Sequence, residues 1–281
     1  MIVEHVHLRP EGARGFEAGR ELWAHRDLFR QLVRRDLVSR YRQTILGPLW
    51  MLLQPLASTL VFTFLFGKVA ALGTEGAPGP LYYLCGLLPW ALFSQTIAAT
   101  GTCLQANAHI FGKVYFPRLI VPLASAAGQG IPFLIQLFNY ALVWLLLGLG
   151  WGLWAGGGFW SLVWVPLAAA QALLLGLGCG LLCAALTAKY RDLQHAIPFL
   201  LQLGFFVTPV VFPLERLPEV VRAWAWLNPM TGPVELCKRG LLGVGAPDLP
   251  IIGAGLGFTV LSLALGLWAF RRVERDFIDS I

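Results

Sequence analysis

Charge is what this sequence has least of. Only 13% of its 281 residues are Asp, Glu, Lys or Arg, about half the share of a soluble domain. Between Arg118 and Lys189 lie 70 residues without a single charge, room for two bilayer crossings of about 20 residues each. That scarcity excludes a soluble enzyme, a disulfide scaffold and a disordered chain. The apolar runs lack the alternation of a transmembrane barrel, so the spans are helical. The five cysteines (Cys85, Cys103, Cys179, Cys183 and Cys237) form no CxxC pair, and four sit in apolar runs as small packing residues. Lys68, Lys113, Lys189 and Lys238 are followed by Val, Val, Tyr and Arg. None can close the phosphate loop GxxxxGK[ST], so no ATP site of that kind is expected. His5, His7, His25, His109 and His195 show no HxxxH spacing, and no metal is expected. No charge falls deep in a span and no acid–base cluster is visible, which disfavours an ion-coupled transporter and an intramembrane enzyme. A cleavable signal peptide is not expected, because the first 43 residues are polar and rich in arginine.

What is present is apolar. The chain is 57% hydrophobic, with mean hydropathy +0.67. Its 31 Gly and 18 Pro are tolerable where neighbouring helices satisfy the backbone. Charge-free windows run over 43–67, 76–112, 119–188, 193–214 and 249–270. The third must fold back on itself, and the glycine- and tryptophan-rich stretch Trp151 to Trp160 is the natural turn. This predicts an all-α polytopic membrane protein with six spans near 46–70, 82–104, 119–148, 161–187, 193–213 and 250–271. With the N-terminus inside, sixteen Lys and Arg fall on the inner side and five on the outer. The positive-inside rule then places both termini in the cytoplasm. The net charge of +6 is scattered in these topology signals and forms no nucleic-acid face.

Two segments outside the spans have their own pattern. Residues 1–44 form a cytoplasmic tail ending in a predicted helix over 20–44, ahead of a permease domain over 45–281. Arg26, Arg30 and Arg34 recur on one side of that helix, and Leu22, Phe29, Val33 and Leu37 on the other. Such a helix lies in the membrane interface, either as a plain anchor or facing a substrate. The outer segment 214–249 is moderately apolar and broken by Asn228-Pro229-Met230-Thr231-Gly232-Pro233. A re-entrant helical hairpin fits it, since irregular backbone at membrane depth must be buried or line water. Within it, Glu235 and Arg239 are spaced to pair at i, i+4.

Four pieces, in order, resemble a known family. They are Arg40-Tyr41-Arg42-Gln43-Thr44-Ile45-Leu46-Gly47-Pro48-Leu49-Trp50 leading to Gln54-Pro55; Asn107-Ala108-His109-Ile110-Phe111-Gly112-Lys113-Val114-Tyr115-Phe116-Pro117-Arg118; Lys189-Tyr190-Arg191-Asp192-Leu193; and Leu227-Asn228-Pro229-Met230. The resemblance is to the ATP-binding-cassette type 2 permeases that export polysaccharides such as O antigen, capsule or teichoic acid precursors, and it covers about residues 25 to 275. It implies a homodimer in a bacterial cytoplasmic membrane, with two copies of a cytoplasmic ATPase subunit that hold the ATP and magnesium, this chain binding no cofactor. It implies a lipid-linked polysaccharide moving outward through a canal between the halves. A drug or small-lipid exporter of the same superfamily is the alternative, and a membrane enzyme acting on lipid-linked sugars a more distant one. The arginine-rich helix, with Arg34, Arg35, Arg40 and Arg42, suits a diphosphate headgroup.

A sugar canal needs aromatic faces for stacking and amides or hydroxyls for hydrogen bonds. Trp50, Gln54, Ser58 and Phe62 share one face of span one, and Phe199, Gln202 and Phe206 one face of span five. Near the pathway, where the resemblance puts these spans, the stripes line a canal; otherwise Gln54 and Gln202 only tie helices together. Trp90, Trp144 and Trp164 are expected to face lipid or the interfacial belts. The inner loops set charge beside aromatics: His109, Phe111, Lys113, Tyr115, Phe116 and Arg118 in one, Tyr190, Arg191 and Asp192 in the other. Both are candidates for contact with the ATPase subunit, and Pro117 would stop the first loop's helix.

Overall fold

The computed structural model describes residues 23–41, 45–108, 116–147, 162–190, 192–222, 224–245 and 248–278. Among them the chain is helical and contains no strand. The expected turn over 151–160 lies outside the described residues. The helices are α1 (Arg26–Tyr41), α2 (Trp50–Phe62), α3 (Gly79–Gly101), α4 (Ile120–Gly128), α5 (Gly130–Leu147), α6 (Trp164–Lys189), α7 (Leu193–Val207), α8 (Thr231–Leu242) and α9 (Leu249–Ile278). Five stretches are long and apolar enough to cross a membrane: Trp50–Val69, Gly79–Gly101, Ile120–Leu147, Trp164–Lys189 and Leu249–Val273. The fifth predicted span is shorter. Its helix α7 has 15 residues, about 22 Å at 1.5 Å per residue, against a hydrocarbon core of about 30 Å.

Helix α6 is the axis of the bundle, and its glycines explain why. Gly176 and Gly180 sit four residues apart and face α3: a Cβ on them would stand 2.9 Å from Thr96 Cβ and 2.7 Å from Thr100 Cβ. Gly178, between them, faces the other way, where a Cβ would lie 2.6 Å from Leu263 N of α9. Small residues let helix backbones approach closely in lipid, where packing replaces the hydrophobic drive. The sequence Gly-Leu-Gly-Cys-Gly thus clasps α3 on one side and α9 on the other. Helix α3 is correspondingly central, 72% of its most apolar stretch being buried, against 6% in the span that begins at Trp50.

That first span is distorted along its length. Pro55 has no N–H to donate and opens the helix around it. At the next carbonyl along, Asn139 of α5 donates its Nδ2 to Leu52 O at 3.0 Å. Thr59 and Thr63 donate back to Pro55 O and Thr59 O, a pattern that bends helices. Thr63–Val69 then continues as π-helix, and Ala70 N reaches Leu65 O at 2.8 Å. Asn139→Leu should destabilise the detergent-solubilised protein modestly, by about 0.6 and at most about 1.7 kcal/mol. An unchanged thermal midpoint would show that Pro55 holds the bend alone.

Helix α1 covers Arg26–Tyr41 of the predicted 20–44, with its arginine side outward as the pattern predicts. Arg26, Arg30 and Arg34 are exposed, while Leu28, Phe29, Leu32 and Val33 turn inward onto α4. Trp90 departs from expectation: it is buried, with its ring centroid 5.7 Å from Phe205 and 5.5 Å from Phe93. Gly204 of α7 leaves the space, since a Cβ there would meet the indole at 3.1 Å. Trp144 is half-buried against the same cluster and Trp164 remains exposed.

Candidate functional site

A groove lies between α2, α3 and α5, with a volume of about 570 Å³, within the range of small-molecule sites. One wall carries Trp50, Gln54 and Ser58, three of the four span-one residues that share a predicted face. The other walls add Gln95 of α3 and Gln136 of α5. Alanines at 91, 98 and 99 keep the α3 wall low. Phe62 is elsewhere: it packs into the aromatic cluster, 5.6 Å from Phe66 and 5.6 Å from Phe205.

The span-five stripe does not meet this groove. Phe199, Gln202 and Phe206 are exposed on the outside of α7 and take no part in lining it. Their neighbour Phe205 turns inward, stacked on Phe62. The sequence reading passed over Gln95 and Gln136. The signal was present: each is an amide in a charge-free window, as Gln54 and Gln202 are.

A second polar cavity, about 530 Å³, sits where α1 meets the ends of α3 and α4. Arg35, Asp36 and Ser39 line it from α1, Asn107 from beyond α3, and Ser125 and Gln129 from α4. Arg35 pairs with Asp36 at 2.8 Å and also donates to Asn107 Oδ1. Of the predicted headgroup arginines, Arg34 is exposed and Arg35 is engaged in that pair. Arg42 and the Arg40 side chain lie outside what is described.

The same end of the bundle carries the candidate coupling loops. Thr187 Oγ1 donates to Gly101 O at 2.7 Å and Gln105 Nε2 donates to Thr187 O at 2.8 Å. These bonds tie the ends of α6 and α3 together. Tyr190, with Lys189 Nζ 5.3 Å from its ring, is exposed, as is Asp192. Phe116 is buried with Leu32, Cys103 and Ile120, so it seats α1 and α4 and presents no free ring. Arg118 is half-buried. His109, Phe111, Lys113, Tyr115 and Arg191 lie outside the described residues.

At the opposite end, α8 is buried against α3 and α6. The chain reaches it through three single helical turns, Leu214–Arg216, Glu219–Arg222 and Ala225–Leu227. The expected pairing of Glu235 with Arg239 is corrected here. Glu235 pairs with Lys238, Oε1 to Nζ 3.0 Å, both side chains buried. Lys238 Nζ also donates to Tyr82 OH of α3 at 2.8 Å and to Pro209 O at 2.9 Å. Three N–H groups have three acceptors on three parts of the chain. Arg239 instead reaches the helix end, donating to Gly243 O at 3.4 Å, where Gly243 caps α8 in the left-handed region (φ 70°). The i+3 position faces the bundle and the i+4 position faces away from it. Burial pushes the Glu235 carboxyl up despite the pull of Lys238, and Glu75 and Glu215 push the same way.

Comparison with known proteins covers most of the chain. The family described as ABC-2 type transporter matches residues 27–240. The O-antigen export system permease protein RfbA of Myxococcus xanthus is 31% identical over 265 residues, covering 93% of this chain and 98% of that protein. An RfbA permease of Klebsiella pneumoniae is 26% identical over 260 residues, with 91% and 95% covered. The polysialic acid transport protein KpsM of Escherichia coli is 26% identical over 253 residues, with 88% and 93% covered. On the match to residues 27–240, the chain is a multi-pass membrane protein that belongs to the ABC-2 type transporter family.

Proposed function

We propose that this chain is the membrane-spanning subunit of an ATP-driven exporter of a lipid-linked polysaccharide. The observation that carries this is the end-to-end match to the M. xanthus O-antigen export permease, at 98% coverage of that protein. The lack of a phosphate-loop lysine in the sequence supports a division of labour: a separate cytoplasmic ATPase, in two copies, binds ATP and magnesium, and this chain binds no cofactor and catalyses no reaction. Two copies of the chain make the translocation unit. It lies in the bacterial cytoplasmic membrane with both termini inside, an orientation supported by the sixteen-to-five distribution of Lys and Arg. In that orientation α7 and the irregular residues after it make the fifth of six crossings. The end carrying Tyr190 and Asp192 receives the ATPase, and the buried α8 faces outward.

The experiment is reconstitution. The purified chain alone should hydrolyse no ATP. Joined with its ATPase in vesicles, it should move a lipid-linked polysaccharide in an ATP-dependent manner. Hydrolysis by the chain alone, or a complex that moves small lipids or drugs but no glycan, would overturn this function.

A further inference from the structure

Cys85 of α3 and Cys237 of α8 stand sulfur to sulfur, 3.8 Å apart and 152 residues distant in the chain. Both are enclosed, at 0% and 1% exposure, and both are free thiols. At that distance no atom fits between them. The helices behind them are fixed in register. Tyr82 OH, one turn before Cys85, accepts from Lys238 Nζ, next to Cys237, at 2.8 Å. Tyr140 of α5 donates to Leu241 O, one turn after Cys237, at 3.2 Å. Gly86, beside Cys85, packs so tightly that a Cβ there would meet Val210 O at 2.5 Å. A disulfide holds its sulfurs at about 2.05 Å, so side-chain rotation has only about 1.8 Å to close. The other cysteines are placed differently: Cys179 and Cys183 share helix α6, and Cys103 packs with Leu32 and Phe116 under α1.

We propose that Cys85 and Cys237 are a disulfide site, oxidised to a bond that staples α8 to α3 on the outer side of the membrane. The form described above is the dithiol. This goes beyond the exporter reading and rests on one part of it, the orientation with both termini inside. In that orientation Cys85, the seventh residue of α3, lies about 9 Å from the outer end of that helix, and α8 is on the outer side as well. Disulfides form and persist in oxidising compartments outside the cytoplasm. A protein or small-molecule disulfide supplies the other half of the reaction. Because the seated pair is enclosed, exchange precedes the docking of α8. The Cys237 thiolate attacks the oxidant's disulfide, forming a mixed disulfide and releasing one oxidant sulfur. The Cys85 thiolate then attacks Cys237 Sγ, closing the bond and releasing the second sulfur. The two cysteines give up two electrons and two protons, and the oxidant leaves as two thiols. The bond turns a separation of 152 residues into a closed loop, which stabilises the fold by restricting the unfolded chain.

The test counts thiols in cells. Cells making the chain are quenched in acid and their free thiols capped with N-ethylmaleimide. The protein is then reduced and tagged with a polyethylene-glycol maleimide. Wild type should take two tags on its five cysteines, while Cys85→Ala and Cys237→Ala should each take none. Two tags persisting in Cys237→Ala would overturn the pairing. Thermal midpoints separate a bond from mere packing. Each single variant should lose about 5 °C or more, and the double variant far less than the two losses added. Losses that add in full would leave packing as the pair's only role and overturn the bond. Orientation is read separately, with a membrane-impermeant maleimide added to spheroplasts carrying Glu219→Cys, an exposed position before α8. No tags on wild type, with Glu219→Cys labelled from outside, would overturn the disulfide and leave the exporter reading intact. Labelling of Glu219→Cys only after the membrane is opened would overturn the orientation, and the tag count would still decide the disulfide.

Discussion

Lys238→Met should destabilise the protein severely, by about 3–5 kcal/mol, the range for removing one partner of a buried ion pair. The ammonium is fully enclosed and donates to Glu235, Tyr82 and Pro209 O at 2.8–3.0 Å. Without it the Glu235 carboxylate is buried with no cation, and α8 loses its tie to α3. Glu235→Gln should be milder. Burial already raises the carboxyl above its ordinary value of 4.5, so this site tolerates the neutral form, which the amide imitates. The same shift gives a sign that can be measured. A folded state holding its proton more tightly than the unfolded chain gains stability as pH falls, until the unfolded group is protonated as well. The thermal midpoint of wild type should therefore rise relative to Glu235→Gln as pH is lowered toward 4.5. The double variant Lys238→Met with Glu235→Leu should recover much of the loss, because it leaves no orphaned charge. A Lys238→Met protein as stable as wild type in detergent would show that α8 is held by packing alone.

How much of this was legible in the sequence follows from the range of each signal. The spans were legible because one missing class of residue, the charged one, marks them directly, and the long apolar helices lie inside the charge-free windows or overrun them by at most three residues. The orientation of α1 was legible because its period is local: Arg26, Arg30 and Arg34 need only each other to define an exposed side. Tertiary partnership was not. Helical spacing places Trp50, Gln54 and Ser58 on one face, but it cannot say that α3 and α5 supply the opposite wall with Gln95 and Gln136. Phe62 fits the same stripe and yet turns into the aromatic cluster, because Phe205 stands beside it. Trp90 resembled a belt residue until Gly204, more than a hundred residues away, gave its ring a pocket. Spacing also favoured Arg239 as the partner of Glu235. Tyr82 and Pro209, distant in sequence, decide for Lys238 instead.

Gly178→Val should abolish accumulation of folded protein. A Cβ at this position would stand 2.5 Å from Ser262 Oγ and 2.6 Å from Leu263 N, closer than real side chains come. The obstacle is α9 backbone, which no rotamer change can relieve. From the other side, a Cβ on Gly266 would meet Gly178 O at 2.4 Å, so the two helices touch backbone to backbone. Overpacking a well-filled interior costs about 1–3 kcal/mol where side chains can shift. Here the whole of α9 would have to move, and with it the contacts that bury Phe270 and Thr259. Gly257→Val on α9 is the matched control. It adds the same branched side chain to a spanning helix, but nothing lies within 4 Å of its Cβ and the position is exposed. The measurement is the yield of monodisperse protein from the membrane and its thermal midpoint, for both variants against wild type. Gly257→Val should resemble wild type, apart from the small propensity cost of a β-branched residue. Equal loss in both variants would mean that valine is harmful anywhere in these helices. Full recovery of Gly178→Val would mean that α6 and α9 do not meet through these glycines, and that the bundle has a different axis.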